Sequence, residues 1–130
     1  MRYLIDSDWI VSFLNGRRKA VELLESVLTD GVAVSAISWG EVLEGTQDYA
    51  DGDARIAQLE AFSRTFDIIS VDVQVAHHYA SIRRILRTDG RLIPDNDLWI
   101  AATALSRQLT LVSRDQHFDR VPGLSHLSPK

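Results

Sequence analysis

Apolar residues in this chain alternate between short continuous runs and stretches that recur every three to four positions. Tyr3-Leu4-Ile5 is a short buried-strand signal that runs directly into Asp6-Ser7-Asp8, and a helix follows through Ile10, Phe13 and Leu14. After Asn15-Gly16, residues 20–28 repeat at helical spacing through Val21, Leu24 and Leu28. Gly31 stops that element, and Val32-Ala33-Val34 reads as a second strand. Ser38 is read as the N-cap of the next helix, with Glu41 at capping-box spacing in its first turn. Residues 48–52 are polar and loop-like, residues 54–66 return to helical spacing, and residues 67–71 read as a third strand.

Asp72 caps the clearest helix, with Val75, Tyr79, Ile82 and Leu86 as its apolar stripe. Arg84, Arg87 and Arg91 line another face, and Gly90 ends the element. Pro94-Asp95-Asn96 opens a helix whose buried side carries Leu98, Ala101, Ala102 and Leu105. Residues 109–112 form the last predicted strand, which ends at Ser113-Arg114-Asp115. The tail, 121–130, is short, carries Pro122 and Pro129, and receives no element. Strands alternating with helices imply an α/β chain with a mostly parallel sheet and helices on both faces.

Length and composition bound this picture. A chain of 130 residues, 45% hydrophobic, fits one domain with an ordinary packed core. It contains no cysteine, which removes thiolate zinc sites, cysteine nucleophiles and disulfides together. No signal-peptide core precedes Asp6, and no apolar run approaches the ~20 residues needed to span a bilayer. A cytoplasmic protein without a membrane partner is the expectation. The net charge of −4 argues against wrapping nucleic acid by bulk electrostatics, but not against meeting phosphate through a metal.

In open parallel sheets, ligands bind beyond the carboxyl ends of the strands. Asp6, Glu41, Asp97 and Asp115 all fall at predicted strand ends or at the helix starts beside them. Converging carboxylates repel one another unless some protonate or a cation intervenes. Mg²⁺ is held by a few carboxylates and substrate phosphate, and such an ion activates water without a nucleophilic side chain. Taken singly, Glu41, Asp97 and Asp115 also read as capping or turn residues. Asp6 is harder to explain by packing, and the set of four carries the argument.

Four segments resemble the PIN-domain family, and within it the VapC-type toxins of bacterial toxin–antitoxin pairs. They are Tyr3-Leu4-Ile5-Asp6-Ser7-Asp8, the run from Ser35 through Glu41 to Gly45, the run from Ile93 through Asp97 to Ala102, and Leu109 through Asp115. Their order extends over essentially the whole chain. The resemblance implies a three-layer α/β/α sandwich and endoribonuclease activity with Mg²⁺ or Mn²⁺. It further implies a homodimer and a cognate VapB-type antitoxin. It assigns Asp6, Glu41, Asp97 and Asp115 to catalysis, with Asp6, Asp97 and Asp115 on the metal and Ser7 and Ser113 as nearby hydroxyls. Asp8 replaces a common asparagine and is read mainly as a helix cap, while Asp95 is read as the start of its helix. Glu44 lies one turn from Glu41 and is read as a supporting base or a solvent residue. His117 stands where many relatives carry another acid.

Trp9, Trp39 and Trp99 each lie within two residues of a proposed site acid, and packing is preferred over stacking on RNA bases. Arg83, Arg84, Arg87 and Arg91 could position RNA phosphate or simply form a solvated face. His77-His78 lacks zinc-protease spacing and is read as structural. Two rival functions remain open at this level. Asp6-Ser7-Asp8 resembles the aspartyl nucleophile pair of haloacid-dehalogenase phosphatases, although Glu41 then has no role. A PIN-like RNA-binding module without cleavage is the non-enzyme alternative.

Overall fold

The computed structural model describes residues 2–129 and contains a five-stranded, fully parallel sheet in the order β3-β2-β1-β4-β5. The strands are β1 (Tyr3–Ile5), β2 (Val32–Ser35), β3 (Asp67–Ile69), β4 (Thr110–Val112) and β5 (His126–Leu127). Six helices connect them: α1 (Ser7–Leu14), α2 (Arg18–Leu28), α3 (Ala36–Thr46), α4 (Gly52–Phe62), α5 (Val73–Thr88) and α6 (Asp95–Arg107).

Strand alternation explains the layers. Successive side chains point to opposite faces of a sheet, so Leu4, Ala33 and Leu111 join one apolar cluster with Val75, Ile82 and Leu86 of α5 and Leu98 and Ala102 of α6. Ile5, Val32, Val34 and Val112 join the other cluster, with Trp9 and Ile10 of α1, Leu24 of α2, Val42 of α3 and Leu59 of α4. Both faces of the central strands are therefore dry, as a parallel sheet requires. This is the α/β/α sandwich that the sequence led us to expect.

Four local readings are corrected. The cap of α3 is Ser35, not Ser38: Ser35 Oγ accepts from the Ser38 amide at 3.0 Å, and the helix starts one turn earlier. Glu41 accordingly lies in the second turn. β3 stops at Ile69, leaving Ser70 and the 41%-exposed Val71 outside the sheet. The predicted 54–66 helix is α4 plus a 3-10 turn at Ser63–Thr65. The tail supplies an edge strand, β5, through Leu111 N–H to Ser125 O and Ser113 N–H to Leu127 O. A second 3-10 turn, Gln116–Arg120, links β4 to the tail.

Candidate metal centre

The centre is assembled at the carboxyl edge of the sheet. Asp6 follows β1 and is itself the N-cap of α1, its extended backbone (φ −76°, ψ 159°) aiming Oδ1 at the Ser7 amide, 2.8 Å away. Its Oδ2 accepts from the Ser113 hydroxyl at 2.7 Å, and the residue as a whole is 5% exposed. Ser113 Oγ in turn accepts from the Asp115 amide at 3.1 Å. The ends of β1 and β4 are thereby stitched together through one buried serine.

Glu41 reaches the same place from α3, accepting from the Ser7 hydroxyl at 3.3 Å, with the Asn96 side chain nearby lowering its proton affinity slightly. Asp97 occupies the first turn of α6, where the helix dipole favours a negative charge. Its Oδ2 lies 2.8 Å from His117 Nε2, and Asp115 Oδ2 lies 3.9 Å from the same nitrogen. Asp97, Asp115 and His117 each offer a ligand atom within 4.8 Å of the others. Asp6 stands behind that trio rather than within it, with each oxygen already accepting one hydrogen bond.

The four acids lie close enough to feel one another's charge. Burial pushes the Asp6 carboxyl above its usual range, opposed by its bonds from Ser113 and Ser7 and reinforced by the charge of Asp115. Burial likewise raises Glu41, with the charges of Asp6 and Asp97 adding to it. For Asp97 burial again leads; His117 opposes the rise, and Asp6 and Asp115 add to it. A divalent cation among these groups removes the repulsion that raises them. His117 supplies a second indication of fit. Its Nε2 is buried and close to Asp97 but out of alignment for a hydrogen bond, so it lacks a conventional partner. Two carboxylate oxygens and a free imidazole nitrogen form a donor set suited to a divalent ion.

The remaining sequence candidates separate clearly. Ser7 and Ser113 hold Glu41 and Asp6, as described. Asp8 lies in the first turn of α1 but is not its cap; its Oδ1 accepts from the Trp9 amide at 2.8 Å, and Oδ2 lies 3.6 Å from Arg114. Asp95 begins α6 and accepts from the Tyr79 hydroxyl. Glu44 is exposed and, among the described residues, makes no hydrogen bond or ion pair with the acids. Arg84, Arg87 and Arg91 are also exposed, and none of them pairs with a site acid among the described residues. The tryptophans pack: Trp9 is 1% exposed, Trp39 edges onto Phe66, and Trp99 stacks on Tyr79 at 3.7 Å. His77 and His78 join no candidate metal group among the described residues.

Three supporting residues escaped the sequence reading. Asn96 acts on the Glu41 carboxyl, favouring its charged form, and its only signal is its position beside Asp97. His126 sits between Asp119 Oδ1 (2.8 Å) and the main-chain carbonyl of Ser113 (2.9 Å), tying the tail to the end of β4. Arg114 lies over the Trp9 ring with its guanidinium carbon 3.7 Å from the centroid.

Residues 3–124 match the PIN domain family. The chain belongs to the PIN-domain family. Membership removes the haloacid-dehalogenase alternative. Among curated relatives, the chain is similar to Ribonuclease VapC5 of Mycobacterium tuberculosis, at 30% identity over 122 residues that cover 92% of this chain and 87% of that protein. It is also similar to Ribonuclease VapC1 of Haemophilus influenzae strain R2866, at 28% identity and 95% of both chains. Among solved structures, VapBC2 from Rickettsia felis, bound to a promoter DNA fragment, aligns over 100% of both chains with a TM-score of 0.91 and 25% identity. VapBC from Salmonella typhimurium, also DNA-bound, aligns over 98% of both with a TM-score of 0.89 and 25% identity. Among the described residues no helix is long and apolar enough to cross a membrane.

Proposed function

We propose that this PIN-domain chain is a metal-dependent endoribonuclease, the toxin of a VapBC-type pair, with its catalytic residues at Asp6, Glu41, Asp97 and Asp115. The observation that carries the reading is the convergence of all four acids at one sheet edge, three of them with carboxyls pushed upward by burial and mutual charge. Relatives along the full length bear the name ribonuclease, and the structural neighbours are toxin–antitoxin complexes. A cognate VapB-type antitoxin, a homodimer, a cytoplasmic setting and a single domain over 1–130 belong to the same proposal.

Asp97, Asp115 and His117 would hold the cation in this reading, with Asp6, also expected on the metal, standing behind them. Bound there, Mg²⁺ or Mn²⁺ supplies charge neutralisation for the phosphodiester and lowers the pKa of an attacking water. The chain's own groups do the rest. Ser113 and the Ser7 amide fix both oxygens of Asp6, so its carboxylate cannot rotate away from the edge. Ser7 holds Glu41, whose raised affinity for a proton suits it to accept one from water. Arg84, Arg87 and Arg91 are exposed and available to outer phosphates of a long RNA. A binding module without cleavage has no observation in its favour, because no member of the acidic set is missing.

The test is incubation of antitoxin-free protein with structured RNA and Mg²⁺ or Mn²⁺. Wild type is expected to cleave internally, with Asp6→Asn and Asp97→Asn inactive. Equal cleavage by those variants removes the proposed site.

A further inference from the structure

A second group of positive charge lies off α5. Arg17, Arg18, Lys19 and Arg114 line one open groove together with Ser12 and Asn15. Arg114 forms its inner wall. The guanidinium is held by the Trp9 ring, by Ser12 Oγ at 3.3 Å and by Asp8 Oδ2 at 3.6 Å. In sequence it stands between Ser113, which bonds Asp6, and Asp115 of the candidate ligand trio. None of the four acids lines the groove itself; Arg114 is the link to them, through Asp8, whose carboxylate feels the charge of Asp6. The α1–α2 junction, where the rest of the groove lies, is one eight-residue helix, or about 12 Å, from Asp6.

Folding does not explain these cations. Arg17, Arg18 and Lys19 crowd the first turn of α2, where the helix dipole disfavours positive charge, and Arg17 caps nothing with its side chain. Arg18 is paired with Glu22 at 3.0 Å, on an exposed surface where such a pair adds little. Arg17 and Lys19 have no carboxylate partner among the described residues. On a chain of net charge −4, a four-cation groove is a local reversal of sign. A pre-positioned guanidinium with donors free on its outer edge matches phosphate geometry.

We propose that this groove is the phosphate track that guides a single RNA strand toward the acidic centre, with Arg114 on the phosphate nearest the acids and Arg17 and Lys19 on phosphates further along. The inference rests on the ribonuclease reading and goes beyond it by naming the approach path. Backbone contact of this kind positions the strand and carries no sequence information.

The experiment uses full-length protein carrying Asp97→Asn, so that binding is read without cleavage, and a short fluorescently labelled single-stranded RNA titrated at several KCl concentrations. Arg17→Glu/Lys19→Glu and Arg114→Gln are each expected to weaken binding about tenfold at low salt, and the double variant to flatten the salt dependence by ~1.4 in log–log slope. In the cleavage-competent background the double variant raises KM with kcat little changed. Arg84→Glu/Arg87→Glu is the comparison and has the smaller effect. Glutamate in the first turn of α2 favours that helix, so an undiminished melting temperature separates lost binding from lost folding. Wild-type affinity and slope in the groove variants, or an equal or larger loss from the α5 pair, overturns the track while leaving the ribonuclease reading in place. Absence of both binding and cleavage in wild type overturns the ribonuclease reading and the track with it.

Discussion

Ser113 and Asp6, 107 positions apart in the chain, are joined by a buried 2.7 Å hydrogen bond that sets the first acid of the centre. The serine hydroxyl donates to Asp6 and accepts from the Asp115 amide, so one atom aligns two of the four acids. Ser113→Ala leaves the carboxylate of Asp6, a residue 5% exposed as a whole, short of a donor. The expected cost is about 1–3 kcal/mol of stability, together with a 10–100-fold loss of metal affinity. Ser113→Thr retains the hydroxyl and should recover most of the metal affinity. Thermal melts and metal titrations on both variants check this.

The metal-free centre is held at a cost to folding. Asp6, Glu41 and Asp97 have carboxyls raised above their usual range, chiefly by burial. Between the unfolded carboxylate range and those raised values, the folded state binds more protons than the unfolded chain. Stability of the metal-free protein therefore falls as pH rises through that window, and the penalty is fully present above it. Asp97→Asn removes part of it. In the presence of EDTA at mildly alkaline pH, this variant should melt about 2–5 °C above wild type while losing cleavage. Saturating Mn²⁺ should abolish or reverse the gap. A lower melting temperature for the metal-free variant contradicts the account.

His117 puts a nitrogen where an all-oxygen set would suit Mg²⁺ best. Its Nε2 lies 2.8 Å from Asp97 and 3.9 Å from Asp115, in the position of a third ligand. Imidazole favours borderline metals over Mg²⁺. His117→Asp should shift the ratio of Mn²⁺ to Mg²⁺ affinity toward Mg²⁺, and His117→Ala should weaken Mn²⁺ at least tenfold. Calorimetric titration of EDTA-stripped protein reads both. An unchanged affinity ratio in His117→Asp excludes the nitrogen as a ligand.

Ser35 is fully buried, and its hydroxyl caps the helix that delivers Glu41. Ser35→Ala should cost about 1 kcal/mol, seen as a melting temperature lower by a few degrees.

The four acids were legible because each sits where a strong local signal ends: Asp6 after Tyr3-Leu4-Ile5, Asp97 after Pro94, Asp115 after the 109–112 run, and Glu41 within the helix that follows β2. The cap of that helix was not legible. Ser35 and Ser38 are three residues apart, either suits an N-cap, and only the length of β2 decides between them. β5 has two residues, His126 half-buried and Leu127 exposed, too few to show a period; the sheet recruits it through backbone bonds and the His126 ring. The groove was hidden for a different reason. Arg114 is nearly a hundred residues from Arg17, and only the pairing of β1 with β4 brings them together. Trp9 was correctly read as packing, but its second use, as the plate under Arg114, depends on that same pairing.

The most direct measurement of the central claim is cleavage of a defined RNA by the antitoxin-free protein, wild type beside Asp97→Asn, with EDTA, Mg²⁺ or Mn²⁺. The account predicts internal cuts by wild type only when a divalent ion is present, and none by the variant, which remains folded and at least as heat-stable without metal. Cleavage in EDTA, or equal cleavage by a folded Asp97→Asn protein, contradicts it.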